Sequence, residues 1–162
     1  MPTMFNTNTL LMLGAAVLAG AVVPFQAGAN AALGRALGHP LWASLVSLGI
    51  GAALVIAVML ALRVPEPALG AAWRGPCWLW AGGAAGALYV VTALVLAPRL
   101  GAAHFIVAVV AGQMAVSLLI DHAGLMGFAH QPVGAGRVIG LLLIVAGMLV
   151  TQMASAGAPA AR

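Results

Sequence analysis

The chain has 162 residues, of which 64% are hydrophobic and 5% are charged, and its net charge is +4. This composition excludes an ordinary water-soluble globular protein, because too few polar residues remain to cover a folded surface. The six scattered arginines also exclude a nucleic-acid-binding face, since neutralising phosphates requires clustered cations. We therefore expect an integral membrane protein.

Five apolar stretches are close to the length, about 20 residues, at which a helix crosses a hydrocarbon core of about 30 Å. Strands are excluded, since membrane strands have about 10 residues and alternate in polarity. The sequence predicts an all-α protein with a single five-helix domain, residues 1–153, and a flexible tail, residues 154–162. The predicted spans are residues 10–31, 41–62, 78–97, 102–120 and 134–153.

The arginines are divided equally between the two sides of the membrane. An odd number of spans places the termini on opposite sides, so one face receives Arg63, Arg74 and Arg137, and the other receives Arg35, Arg99 and Arg162. Cytoplasmic loops normally hold an excess of Lys and Arg, and this excess sets the orientation. The tie predicts insertion in both orientations and pairing with an inverted copy, as an antiparallel homodimer. The alternative is a weak bias that the count misses.

Three residues interrupt the first span. Pro24 lacks an N–H and its ring meets the carbonyl four residues earlier, which predicts a local break or kink. Gln26 and Asn30 follow at positions i and i+4 and so share one helix face. Because unpaired amides in hydrocarbon are unfavourable, this face should meet protein or a water-filled cavity. Substrate binding and hydrogen bonds between helices both remain open as its role.

Polar side chains also lie in the middle of the third and fourth spans. Tyr89 occupies the third span, and Gln113 with Ser117 one turn later occupies the fourth. Donors and acceptors without fixed charge predict a pocket for a polar substrate near the midplane. The alternative is a hydrogen bond between Tyr89 and Gln113 in a packed core.

Titratable residues lie at the ends of the spans. Asp121 ends the fourth span on the side where Arg137 begins the fifth, and an acid at a helix C-terminus is unfavourable unless it is paired. This arrangement predicts a structural ion pair, with His122 as a candidate third member. The alternative is that Asp121 carries a coupled proton. His104, at the start of the fourth span, is either an interfacial residue or a coupling residue.

Two GxxxG pairs predict close helix packing: Gly82 with Gly86, and Gly136 with Gly140. No nucleophile and base, carboxylate pair or phosphate-binding loop is recognisable, so neither an enzyme nor an ATP-driven pump is expected. Cys77 is the only cysteine, and the histidines are scattered, so neither a metal site nor another cofactor is expected.

Three stretches carry a family resemblance: "PFQAGANAALG" in the first span, "WAGGAAGALYV" in the third, and "AGQMAVSLLIDHAGLMG" from the fourth span into its loop. They resemble the YdcZ-type family of small five-span bacterial proteins in the drug/metabolite transporter superfamily, and the resemblance covers Leu10 to Val150. Ala123 departs from the aromatic residue more usual after Asp121 and His122. The resemblance implies two chains in antiparallel orientation that form a ten-helix inverted-repeat fold within the lipids of the inner membrane.

These observations favour a secondary transporter that exports a small molecule by alternating access. The substrate should be a neutral, zwitterionic or amphipathic metabolite or drug, because no acidic residue lies at the centre of a span to bind a permanent cation. The alternative is an antiparallel-dimer channel for an ion or small solute. A third reading is a structural or lipid-organising protein without transport activity.

Overall fold

The computed structural model of the chain describes residues 6–156, and every regular element in this range is helical. The α-helices are α1, Thr7–Ala36; α2, Pro40–Ala61; α3, Leu69–Arg74; α4, Ala81–Leu100; α5, Ala102–Ala123; and α6, Ala135–Ala156. Short 3-10 helices, Cys77–Trp80 and Leu125–Gly127, precede α4 and follow α5.

Five of the described helices are long and apolar enough to cross a membrane, namely all but α3, with Cys77–Trp80 extending α4 at its start. The prediction of an all-helical chain with five membrane-length helices is confirmed. Helix α6 continues to Ala156, and residues 157–162 of the predicted flexible tail lie outside the described residues.

Polar side chains and a glycine define the ends of the first two helices. The Asn6 carboxamide accepts a hydrogen bond from the Thr9 N–H over 2.7 Å and so caps α1. Gly38 follows α1 with a φ of +78°, a left-handed conformation that favours glycine. His39 Nδ1 then accepts from the Leu41 N–H over 3.2 Å, and Pro40 begins α2. The chain therefore reverses between α1 and α2 within three residues.

The contacts divide the chain into two compact units at the Arg99–Leu100 bond. In the first unit, α1 packs against α2, and a small core joins Ala43 of α2 to Val90 and Leu94 of α4. A Cβ on Gly34 of α1 would lie 3.4 Å from Pro40 Cα and 3.5 Å from Leu94 Cδ2. Helices α1, α2 and α4 meet closely at this glycine.

The second unit is an antiparallel pair of helices, α5 and α6. Phe105, Ala111 and Leu118 form the buried face of α5. Gly124 ends α5 with a φ of +60° and turns the chain into the loop that leads to α6. Side-chain contacts link the two helices at both ends, as described below.

Most side chains of the membrane-length helices are exposed. The large exposed residues include Leu60 at 73%, Phe25 at 76% and Met153 at 75%. Exposed apolar surface of this extent is normal in a membrane protein, where it meets lipid or another chain. The predicted antiparallel homodimer with ten helices remains a prediction.

Candidate functional site

A groove in the first unit, between α1 and α4, contains three of the polar side chains singled out in the sequence. Its volume is about 10 Å³, room for about one water molecule. Its polar members are Gln26 and Asn30 of α1 and Tyr89 of α4. The complete lining is Val23, Gln26, Ala27, Asn30, Tyr89, Val90, Ala93 and Leu94. We refer to it as the polar groove.

Small buried residues occur at helical spacing on both helices that line the polar groove. Ala27 and Gly34 are buried on α1, seven residues apart, so they lie on the same face two turns apart. Ala93 and Ala97 are buried on α4 at the i, i+4 spacing. Because small side chains let membrane helices approach closely, Asn30, between Ala27 and Gly34, is carried into the contact.

The polar groove lies in the second half of α1 and near the middle of α4. Gln26 is ten residues before the end of α1 at Ala36, which at 1.5 Å per residue is about 15 Å. Tyr89 is eleven residues before the end of α4 at Leu100, or about 17 Å along the helix. Half of a hydrocarbon core of about 30 Å is the same distance. The groove therefore lies at the depth expected for the bilayer midplane.

The polar groups of the groove are two carboxamides and one phenol. Within residues 6–156, the side chains of Gln26 and Asn30 make no hydrogen bond to another residue. Gln26 is exposed and Asn30 is half-buried. The carboxamides are thus not used as hydrogen-bond links between described helices, and their donors and acceptors remain available to a ligand or another chain.

Pro24 lies between the lining residues Val23 and Gln26 but does not itself line the groove. Helix α1 is continuous through this residue. Pro24 has no N–H to donate to the Gly20 carbonyl, the acceptor four residues earlier. At Pro24, where the sequence predicted a local break or kink, the helix therefore continues and lacks one backbone hydrogen bond.

Gln113 and Ser117 belong to the second unit, where they lie one turn apart on α5. Both are exposed, together with Val110 and Val116, whereas Ala111 and Leu118 are buried. Neither side chain makes a hydrogen bond with a residue in the described part of the chain. A role for Gln113 and Ser117 in binding the same substrate as the polar groove remains a prediction.

An ion pair links the end of α5 to the start of α6. Arg137 Nη1 lies 3.3 Å from Asp121 Oδ2, and both side chains are about one-third exposed, at 37% and 32%. Arg137 also donates to the Gln131 side chain, and the Gln131 N–H donates to the Asp121 carbonyl over 2.8 Å. The third member of the network is therefore Gln131, which its sequence context did not single out.

His122 has a different contact from the one expected. Its Nδ1 accepts a hydrogen bond from the Val133 N–H over 3.3 Å, and its ring centroid lies 6.1 Å from that of His130. His122 holds the loop between α5 and α6 and makes no contact with the ion pair. A role for His122 as a third member of the Asp121–Arg137 ion pair remains a prediction.

His104 links α5 and α6 at the opposite end of the pair. Its Nδ1 lies 3.1 Å from the Leu100 carbonyl oxygen, and its Nε2 lies 3.1 Å from the Thr151 carbonyl oxygen. A neutral imidazole donates through one nitrogen only, whereas the charged ring donates through both. His104 is thus a structural contact between helices, and its predicted role in proton coupling remains untested.

The four glycines of the GxxxG pairs make no close contact. A Cβ built on Gly82, Gly86, Gly136 or Gly140 would meet no atom within 4 Å. The glycine at which helices do approach closely is Gly34, which forms a third GxxxG pair with Gly38 that the sequence analysis did not single out. A packing role for the two pairs remains a prediction about contacts with another chain.

Comparison with known proteins gives one match. A family model described as "Putative inner membrane exporter, YdcZ" matches residues 11–150. Comparisons with curated proteins and with solved structures found no match. The matched range includes the polar groove and most of each of the five membrane-length helices. The chain therefore belongs to the YdcZ family, described as exporters of the inner membrane, and is a multi-pass protein of that membrane.

Proposed function

We propose that this protein is a secondary transporter that exports a small neutral, zwitterionic or amphipathic metabolite or drug, and that the polar groove forms part of its substrate site. The observation that carries the proposal is the pair of unbonded carboxamides, Gln26 and Asn30, opposite Tyr89 at middle depth. Polar groups at this depth are unfavourable unless they meet protein, water or a substrate.

The charge of the polar groove supports the substrate class. Its polar lining consists of two carboxamides and a phenol, which bind hydroxyl, amide, amine or carboxylate groups by hydrogen bonds without a fixed counter-charge. A permanent cation would favour a carboxylate, but Glu66 lies between α2 and α3, and Asp121 pairs with Arg137. The acidic residues of the chain therefore give no support to a cationic substrate.

We further propose that a second copy in the opposite orientation completes the site. Two helices of the first unit line the polar groove, and Gln26 remains exposed, so the groove can accept a further wall from a second chain. Many transporters alternate access between two inverted repeats around a site at the midplane. In this protein the balanced arginines would allow two identical chains to supply those repeats.

Transport by reconstituted protein tests the proposal. Proteoliposomes would be loaded with a panel of neutral, zwitterionic and cationic compounds of similar size, and their efflux measured against concentration. We expect saturable efflux of at least one uncharged or zwitterionic compound. Gln26→Leu and Asn30→Leu should each reduce it at least tenfold, because each removes a donor and an acceptor from the substrate site.

Gln152→Leu is the matched control, because it removes an exposed carboxamide from α6 that does not line the polar groove. Equal efflux by the Gln152, Gln26 and Asn30 variants would contradict the assignment of the site. Non-saturating flux with single-channel current in planar bilayers would contradict a carrier and favour the channel.

A further inference from the structure

A second cleft lies in the first unit, where α1, α2 and α4 approach one another at their ends. It has a volume of about 300 Å³. Arg35 of α1 and Pro98 of α4 lie at its rim, Gly34 and Gly38 expose backbone to it, and Pro40 and Leu94 contribute apolar surface. We call this the Arg35 cleft. It is a different cleft from the polar groove, although both include Leu94, and Arg35 has no part in the proposed substrate site.

The Arg35 cleft lies at the level of the membrane surface. Arg35 is in the last turn of α1, Pro40 is the first residue of α2, and Pro98 is two residues before the end of α4. Arg35 is nine residues, or about 14 Å, further along α1 than Gln26. A position that far from the midplane reaches the boundary between the hydrocarbon core and the lipid headgroups.

Arg35 has no counter-ion in the described chain. Its side chain is exposed and makes no hydrogen bond or ion pair within residues 6–156. Glu66 lies beyond the far end of α2, which has 22 residues and is thus about 33 Å long. The negative end of the α1 dipole favours a cation here, but this interaction forms no hydrogen bond with the guanidinium N–H groups. Five N–H donors therefore face the headgroup region without a protein acceptor.

The walls of the cleft fit a ligand that is both anionic and apolar. Leu94, Pro40 and Pro98 offer no hydrogen-bonding side chain, while Gly38, whose Cβ would meet no atom within 4 Å, leaves room for a bulky group beside the backbone. Exposed apolar side chains, including Leu41 of α2 and Leu96 of α4, continue along helices that form the cleft. A soluble anion would use only the guanidinium, whereas a phospholipid would also cover this apolar surface.

We propose that the Arg35 cleft binds the phosphate of an anionic phospholipid headgroup, with Arg35 as the phosphate ligand and the acyl chains along the adjoining apolar helix surfaces. A guanidinium forms two parallel hydrogen bonds with phosphate oxygens, which gives affinity and a fixed orientation. Basic pockets between membrane helices are suited to this recognition. The site would hold a lipid at one end of the helices that form the polar groove.

Lipid retention by the purified full-length protein tests the proposal. The protein would be exchanged into mixed micelles that contain phosphatidylglycerol and phosphatidylcholine, and bound lipid would be counted by native mass spectrometry. We expect the wild type to retain phosphatidylglycerol preferentially. Arg35→Gln should reduce that preference about five- to tenfold, because one interfacial cation contributes about 1 kcal/mol and a bidentate contact adds to it.

Arg99→Gln is the matched control, because it removes the same charge from the end of α4 without changing the lining of the Arg35 cleft. This variant should retain phosphatidylglycerol at nearly the wild-type level. An equal loss in the Arg35 and Arg99 variants would overturn the proposal, since it would reduce the effect to general surface charge.

A second variant keeps the charge and fills the space. Ala31→Leu introduces a larger side chain into the cleft lining and leaves Arg35 in place. This variant should also retain less phosphatidylglycerol. If Arg35→Gln does not yield folded protein, Ala31→Leu tests on its own whether the Arg35 cleft binds the lipid. Undiminished retention by Ala31→Leu would contradict the cleft as the site. If excess inorganic phosphate displaced the lipid, the anion site would belong to a soluble ligand, and the proposal of a phospholipid site would be overturned.

Discussion

Individual side chains in this protein separate into those with partners and those without. Asp121 and Arg137 are paired with each other, and His104 and His122 contact backbone groups of their own unit. Gln26 and Asn30 have no hydrogen-bond partner in the described chain. At the residue scale, the proposed substrate site therefore uses uncharged amides, while Asp121, Arg137, His104 and His122 make contacts within the second unit.

The Asp121–Arg137 ion pair leads to a prediction about stability. Asp121→Asn preserves the shape of the side chain and removes its charge, so thermal unfolding in detergent should show a loss of about 1 kcal/mol, as for other partly exposed pairs. Saturable efflux should continue, because the pair lies outside the polar groove.

Arg137→Gln provides the partner variant for a double-mutant cycle. The loss on combining both substitutions should be smaller than the sum of the separate losses. Abolished efflux in Asp121→Asn with unchanged stability would instead identify Asp121 as a coupling carboxylate.

At the element scale, the two helices of the second unit depend on the turn that follows α5. Gly124 has a φ of +60°, and a Cβ there would lie 3.4 Å from His130 Cβ. Gly124→Ala should lower the free energy of unfolding by about 1 kcal/mol, because alanine is strained in this left-handed conformation. Thermal or urea denaturation followed by circular dichroism would measure the change.

Gly112→Ala is the control for this substitution. Gly112 lies inside α5, and its Cβ would meet no atom within 4 Å. Alanine has the higher helix propensity, so this variant should be neutral or more stable by up to about 1 kcal/mol. If Gly112→Ala destabilised the protein as much as Gly124→Ala, the explanation from the backbone conformation of Gly124 would fail.

The sequence alone was sufficient to predict the five membrane-length helices, because their apolar length is a local property. It was less informative about their ends. Helix α1 continues past the predicted apolar span to Ala36, since a polar Arg35 fits a helix C-terminus and only Gly38 requires a different backbone conformation. The short helix α3 was missed because prolines surround it in the sequence.

The candidate site was predictable only in part. The i, i+4 spacing placed Gln26 and Asn30 on one face of α1, and span position placed Tyr89 in the middle of its span, at the depth of Gln113. Their joint position in one groove depends on small residues at Ala27, Gly34 and Ala93, whose contacts are between helices distant in sequence. Alanine and glycine are frequent throughout this chain, so their packing role had no distinctive sequence signal.

At the scale of the whole molecule, the proposed inverted homodimer requires that the chain adopts two orientations in the membrane. On one predicted face, the segment between the membrane-length helices α2 and α4 carries Arg63 and Arg74. On the other predicted face, the ends of α1 and α4 carry Arg35 and Arg99. Without a charge excess, the membrane provides little electrostatic discrimination between the two insertions. An inverted second chain would then supply the missing wall of the polar groove.

Cysteine accessibility in sealed membranes tests this claim most directly. A single cysteine would replace Ala68, which is exposed between α2 and α3, in a Cys77→Ala background, and a membrane-impermeant thiol reagent would be applied from one side and then from both. We predict that about half of the protein reacts from each side, because the arginine count favours neither orientation. Reaction of the whole population from one side only would contradict the inverted homodimer.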